Sequence, residues 1–235
     1  MGKFWVAAAM LLTGSACSAN DSAVAGSGSG GQRNYAVAGF DRVELAGHYD
    51  VRVTAGAAPS VRAEGNEAEL ERLEISVDNG RLRIGSKPGS WTSTGKVIVH
   101  VTAPNLQAVE VAGSGNIEVA PLRAAQFRGE VAGSGNLVLQ GLESDAATFD
   151  IAGSGNVRAA GRTRTVRLDV QGSGTGELGD LQAESAEISI AGSGDAQVRA
   201  SGTATIDIAG SGNVGVVGGA RCTTRKAGSG NVRCG

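Results

Sequence analysis

The sequence of 235 residues is short of the side chains on which most catalytic, metal-binding and nucleic-acid-binding sites are built. Aromatic residues make up 3%, and there are only 2 His, 3 Cys and 4 Pro. So few aromatics leave little with which to stack sugar rings. Two histidines, with no CxxC or HExxH spacing, give no zinc-type site. Lys and Arg number 21 against 23 Asp and Glu, a net charge of −2, so the basic stripe of a nucleic-acid-binding protein is missing. No run approaches the roughly 18 consecutive apolar residues of a membrane-spanning helix. At 41% hydrophobic, the chain is nevertheless too apolar to be disordered. What is abundant is glycine, with 38 residues. It does not recur at every third position, which excludes collagen and implies many backbone positions of special geometry.

Residues 1–16 read as a secretory signal peptide. Lys3 supplies the basic start, Phe4 to Leu12 the apolar run, and Thr13 to Ala16 the small residues before a cleavage point at Cys17. This segment resembles those of bacterial lipoproteins, in which the new N-terminal Cys, here Cys17, carries the lipid. Position 14 is Gly where such signals usually have Leu, which leaves ordinary secretion as the alternative. Residues 17–34 are rich in Gly and Ser and read as a flexible tether. Residues 35–235 then form the folded domain, held to the membrane only through the lipid. With Cys17 lipidated, Cys222 and Cys234 are the remaining thiols, and in an oxidising compartment they read as one disulfide.

The dominant pattern is a repeat. Ala-Gly-Ser-Gly-Asn recurs from Ala112, Ala132, Ala152, Ala209 and Ala227, with variants from Gln171 and Ala191, at successive offsets of 20, 20, 19, 20, 18 and 18. Val109/Val111, Phe149/Ile151, Leu168/Val170, Ile188/Ile190 and Ile206/Ile208 alternate with polar residues before the motif. Ile117/Val119, Leu137/Leu139, Ala196/Val198 and Val214/Val216 do so after it. Period two on both sides of a glycine turn predicts strand, turn, strand, and excludes leucine-rich and helical repeats. Such a unit cannot bury its own apolar side, but stacked units can. The prediction is an all-β protein, a parallel β-helix with coils of about 18–20 residues.

In this reading the turns rest on Gly113, Gly133, Gly153, Gly172, Gly192, Gly210 and Gly228, while Asn116, Asn136, Asn156, Asp195, Asn213 and Asn231 stack into a hydrogen-bonded ladder. Val43 to Val53 superposes on Val109 to Val119 at an offset of 66, which reads as about three intervening coils. Asp78-Asn79-Gly80 is a turn within that stretch, and Glu67–Glu74 is the one short helix, capped by Asn66. About ten coils at strand spacing give a rod on the order of 50 Å long.

The order of Phe40-Asp41-Arg42-Val43, Gly47-His48-Tyr49-Asp50-Val51, Val61 to Asn66, Leu82-Arg83-Ile84 and the later Gly-Ser-Gly-Asn coils resembles the GIN domain family, head domains ascribed to auto-transporter adhesins, over residues 36–235. The resemblance implies a right-handed β-helix exposed in the bacterial envelope and supplies no catalytic residues. Nothing here resembles an auto-transporter's membrane barrel, so export would use the lipoprotein route.

Other motifs read as structural. Gly174 to Gly179 matches GxGxxG without the βαβ context that gives it meaning. The turns carry Asn or Thr where a calcium-binding β-roll needs Asp, with Asp50 and Asp195 the exceptions. Glu110, Glu130, Asp150, Asp169 and Asp207 share one position in their coils and form a column, read as a solvated face relieved by nearby Arg. His48 is expected in a turn and His100 in a strand, neither as a catalyst. Cys222 and Cys234 occupy inward positions and staple the final rung, whose edge is open to a second copy. No cofactor is implied. The functions in competition are a surface or envelope binding head, for which an adhesin is the leading form, then a structural envelope protein that self-associates end to end, and third a polysaccharide-active enzyme. The ligand itself is not encoded in any motif.

Overall fold

The computed structural model describes residues 23–89 and 95–235. The signal peptide, Cys17 and the first part of the tether lie outside the described residues. The N-terminal elements are β1 (Gly26–Ser27), β2 (Gln32–Tyr35), β3 (Arg42–Gly47), β4 (Asp50–Ala55), β5 (Ser60–Gly65), α1 (Glu67–Arg72), β6 (Leu73–Asp78), β7 (Arg81–Ser86) and β8 (Val97–Ala103). The repeats supply β9 (Ala108–Gly113), β10 (Asn116–Val119), β11 (Leu122–Arg123), β12 (Gln126–Gly133), β13 (Asn136–Gly153), β14 (Asn156–Gly172), β15 (Thr175–Gly192), β16 (Asp195–Gly210), β17 (Val214–Val217), β18 (Arg221–Ala227) and β19 (Val232–Cys234).

The chain is nearly all strand and winds into a β-solenoid of about six turns. Through its middle, each coil is one strand of 16–18 residues that bends round the core and breaks only at the Ser-Gly of the motif. Successive coils pair in parallel with identical motif residues in register: Gly133 on Gly153, Phe149 on Leu168, Ile190 on Ile208. The alternation that predicts strands also places the core. Leu137, Leu139, Leu142, Ala147, Phe149 and Ile151 of a single coil are all buried, and the residues between them face outward. Where successive coils differ in size the column compensates. Gly129 stands at an inward position against Phe149, whose Cδ1 lies 2.8 Å from where a Cβ on Gly129 would be.

The offset of 66 gives the right register but not three coils. Val43 pairs directly with Val109, and Val51 with Ile117, so the segment between them is an excursion that builds the base of the solenoid. β7 and β8 return parallel to β3 and β4 on their other edge. β5 and β6 then pair antiparallel to β8 and β7 and end the parallel stack. The two-residue connection between β6 and β7 can reach only an antiparallel neighbour, whereas a parallel one needs a long crossover. The expected ten coils are therefore about six. The β6–β7 turn sits where expected, with Asn79 and Gly80 at φ 47° and 78°, the two left-handed residues of a primed hairpin turn.

The helix starts where Asn66 caps it, its Oδ1 accepting from the Glu69 N–H at 3.3 Å, but it ends at Arg72. Leu73 and Ile75 are instead inward residues of β6. The described part of the expected tether is not free. β1 and β2 form a hairpin laid antiparallel on β5, and the Val24 N–H donates to the Ile75 carbonyl at 2.7 Å. Backbone pairing and the buried Tyr35 hold a composition that otherwise signals a flexible linker.

At the other end, Cys222 and Cys234 are disulfide-bonded. They stand over the buried Ala204 and Val216 on the inward columns, but at this uncovered rung Cys222 is half-buried and Cys234 exposed. The same rung departs from the repeat in one respect. Over Ile206 and Ile208 it places Thr224 and Lys226, and the Lys226 ammonium donates to the Gly230 carbonyl at 2.8 Å.

Candidate binding surfaces

The turn motif builds a column whose glycines serve two different purposes. Gly113, Gly133, Gly153, Gly172, Gly192, Gly210 and Gly228 all have φ between 125° and 140°, where an L side chain is strained. Each carbonyl also accepts from the next coil: Gly113 O takes the Ser134 and Gly135 N–H at 2.9 and 3.0 Å. The second glycine is excluded from carrying a side chain by the core below it, since a Cβ on Gly135 would lie 2.6 Å from Val111 Cγ1. In the first coil this second position is Tyr49. Its hydroxyl reaches Ser86 Oγ at 2.9 Å, and burial raises its pKa.

The predicted ladder is present and has a direction. Asn156 donates to Asn136, Asn136 to Asn116, and Asn116 to Asp50, at 2.9, 2.8 and 2.8 Å. Asp50 ends the run because an ionised carboxylate only accepts. Thr175 interrupts the side-chain ladder, its backbone N–H donating to Asn156 Oδ1. Asp195 starts a second run by accepting from Asn213 at 2.8 Å, and Asn213 Oδ1 takes the Asn231 N–H at 3.3 Å. The two aspartates are thus acceptor ends of amide ladders, which accounts for their replacing Asn.

The acidic column also forms. Glu44, Glu110, Glu130, Asp150 and Asp169 are stacked on adjacent strands, and Asp207 follows after Ser189. Arginines interleave with it: Arg81 lies 3.0 Å from Glu44 and 3.5 Å from Glu110, Arg128 lies 2.7 Å from Asp150, and Arg167 lies 2.7 Å from Asp169. Burial first, then Glu44 and Glu130, push the Glu110 pKa up; burial, with Asp169 and Glu130, does the same for Asp150. A raised carboxylate makes the folded state bind protons more readily than the unfolded one, so this contribution to stability falls as pH rises through the raised value. Glu110→Gln is accordingly expected to melt slightly higher than the parent at about pH 7 and level with it at about pH 4, as thermal melts at both pH values would show.

His100 faces outward from β8 and meets Glu64 at 3.1 Å. His48 lies in its turn, stacked on Tyr49 and 4.0 Å from the buried carboxylate of Glu69. Among the described residues no three His, Cys, Asp or Glu side chains converge as metal ligands would.

Two large concavities lie on the outside of the described residues, and the sequence assigns a binding role to neither. A polar trough of about 730 Å³ crosses the outward face of the segment after the motif, lined by Arg158, Glu177, Asp180, Gln197, Arg199 and Arg233 among others. It lies where the register between β15 and β16 slips at Leu178/Gln182. The second, about 710 Å³, is largely apolar and lies at the corner beyond Ala55 and Ala103. β4 leaves the solenoid there, so β11, the first strand on the third side, pairs only upward with β13. Sequence signals for it do exist, since two of the four prolines, Pro104 and Pro121, flank the corner.

The family model described as "Putative auto-transporter adhesin, head GIN domain" matches residues 39–220. The chain belongs to this family. Among solved structures, a putative adhesin from Bacteroides fragilis superposes on the GIN domain with a TM-score of 0.80 at 21% identity, over 86% of this chain and 94% of that one. A putative lipid binding protein from Parabacteroides distasonis gives 0.71 at 23%, over 86% and 96%. A putative adhesin from Parabacteroides merdae gives 0.69 at 20%, over 86% and 94%. At these identities the likeness is one of fold. Among curated proteins none matches the sequence. The family places the chain with cell-surface and envelope proteins.

Proposed function

We propose that this GIN domain is a binding head displayed at the bacterial surface on a lipid at Cys17, and that it holds a partner without transforming it. The observation that carries the reading is the polar trough. Arg158 lies 3.7 Å from Glu177 and 3.5 Å from Asp180, and Gln197, Arg199 and Arg233 follow on the next strands of the same face. Donors and acceptors fixed at strand spacing suit an extended polar partner such as a surface polysaccharide. The family description and the adhesin neighbours support the same reading. End-to-end self-association draws no support from the C-terminal rung, because Thr224 and Lys226 replace the apolar pair of the preceding coil. Inward-pointing charge is a device by which sheets resist edge pairing.

External protease applied to intact cells is expected to cut the head, as it does in a lysed control. Cells displaying equal amounts of an Arg158→Glu/Arg199→Glu head are expected to adhere less than parent cells to polysaccharide-coated surfaces. Protection from protease in intact cells would turn the reading towards a periplasm-facing scaffold, and unchanged adhesion would remove the trough from it.

A further inference from the structure

The apolar corner groove has the form of a ligand site in its own right, separate from the polar trough. It is built by a subtraction. The first coil supplies β3 and β4, but after Ala55 the chain departs into β5, and no strand of that coil runs beneath β11. The groove has walls from Val53 and Ala103 on one side and Pro121, Leu122 and Gly141 on the other. Its volume, about 710 Å³, falls within the roughly 300–1,000 Å³ of sites that take small apolar ligands. Its lining spans six successive levels of the stack: the apolar part runs from Ala103 through Ala55 and Val119 to Leu142, and Gly161, Arg162 and Gln182 continue it over the last two. At strand spacing that is on the order of 20 Å, an elongated shape.

The polar groups of this lining are equally specific. Its three charged residues are Arg123, Glu143 and Arg162. Arg123 Nε and Arg162 Nη2 each lie 2.7 Å from one oxygen of the Glu143 carboxylate. The two arginines hold that carboxyl below its usual range, the Arg162 hydrogen bond contributing most. Two guanidiniums share one carboxylate, so the rim carries one surplus positive charge. Both arginines are largely exposed and keep donors to spare, since a guanidinium has five.

We propose that the groove binds one long-chain fatty acid, its hydrocarbon along the apolar walls and its carboxylate on Arg123 and Arg162. An added peptide strand fits less well, because β11 is two residues long and is preceded by Pro121, which has no N–H to offer a ladder. A membrane surface fits less well too, because the apolar residues line a recess. The surplus charge selects an anion, and the length of the recess selects a chain.

The test uses the full chain carrying Cys17→Ser, so that no attached lipid competes, with a dansyl-labelled long-chain fatty acid and its methyl ester as probes. The acid is expected to give a saturable fluorescence rise at one probe per chain, with the ester bound about tenfold more weakly. Arg123→Gln should weaken the acid by about tenfold and leave the ester unchanged. Ala55→Trp, at an exposed rim position, should block both probes while circular dichroism melts match the parent. A photoreactive fatty acid supplies a readout that needs no variant: its label should map to peptides containing Thr54–Ala55 or Pro121–Arg123. No saturable binding, equal affinity for acid and ester, or label confined to other surfaces would overturn the assignment.

Discussion

Gly153→Ala is expected to cost on the order of 4 kcal/mol, a large share of the stability of an ordinary domain. Two effects add. The residue sits at φ 125°, a region that costs a residue with a Cβ about 1–3 kcal/mol. The new Cβ would also lie 2.5 Å from the Gly133 carbonyl oxygen. That oxygen cannot move aside, because it accepts the Ser154 and Gly155 N–H groups at 2.9 Å each. Overpacking of this kind adds roughly 1–3 kcal/mol. Ser154→Ala, one residue away on an exposed side chain, should stay within about 0.5 kcal/mol of the parent. Urea melts of the two variants would separate a requirement of the backbone from a preference of the turn. Near-equal stabilities would mean that the coils can shift apart without penalty.

The second large effect is expected in the core. Phe149 is fully buried, and its ring centroid lies 6.4 Å from that of Phe127 in the preceding coil. Truncation to Ala should cost about 3–5 kcal/mol through lost burial and the cavity left behind. Gly129 fits this site because Leu137 Cδ2 and the Phe149 ring occupy the space that a side chain there would need, at 2.7 and 2.8 Å from its Cβ position. Gly129→Ala alone should therefore destabilise by overpacking. Combined with Phe149→Leu it should recover the part of the loss that comes from the ring, while the contact with Leu137 remains, so the two changes are non-additive. Strict additivity would show that the column does not fit together as its geometry indicates.

The solenoid was legible because its physics is local and repeated. The motif spacing fixed which glycines turn, the alternation fixed which side chains face in, and the ladder followed from stacking one Asn on the next. The inward positions of Cys222 and Cys234 came from the same register. The base was not legible for a reason of the same kind. Alternation has a period but no direction, so Ser60–Gly65 and Leu73–Asp78 look like coil strands although they run antiparallel to their neighbours. Counting them as coils gave ten turns where about six exist. The hairpin of Gly26 to Tyr35 was hidden by composition, since its Gly and Ser carry no sign of the partner strand β5. Neither concavity was legible as one, although ladder residues Asp195, Asn213 and Asn231 line the trough. The trough depends on a slip in register, and the groove on a strand that one coil does not have.

The ladder and the glycine column make every interior coil a standard joint. Along the glycine column each accepts from the coil after it and donates to the coil before it through the same backbone atoms, with the amide ladder added in two runs on either side of Thr175, while the base and the C-terminal rung are specialised. The reach of the head is therefore graduated. Duplicating or deleting one coil changes its length by about 4.8 Å and leaves both ends intact, so the fold works as a ruler whose length is set by the number of copies of a twenty-residue unit.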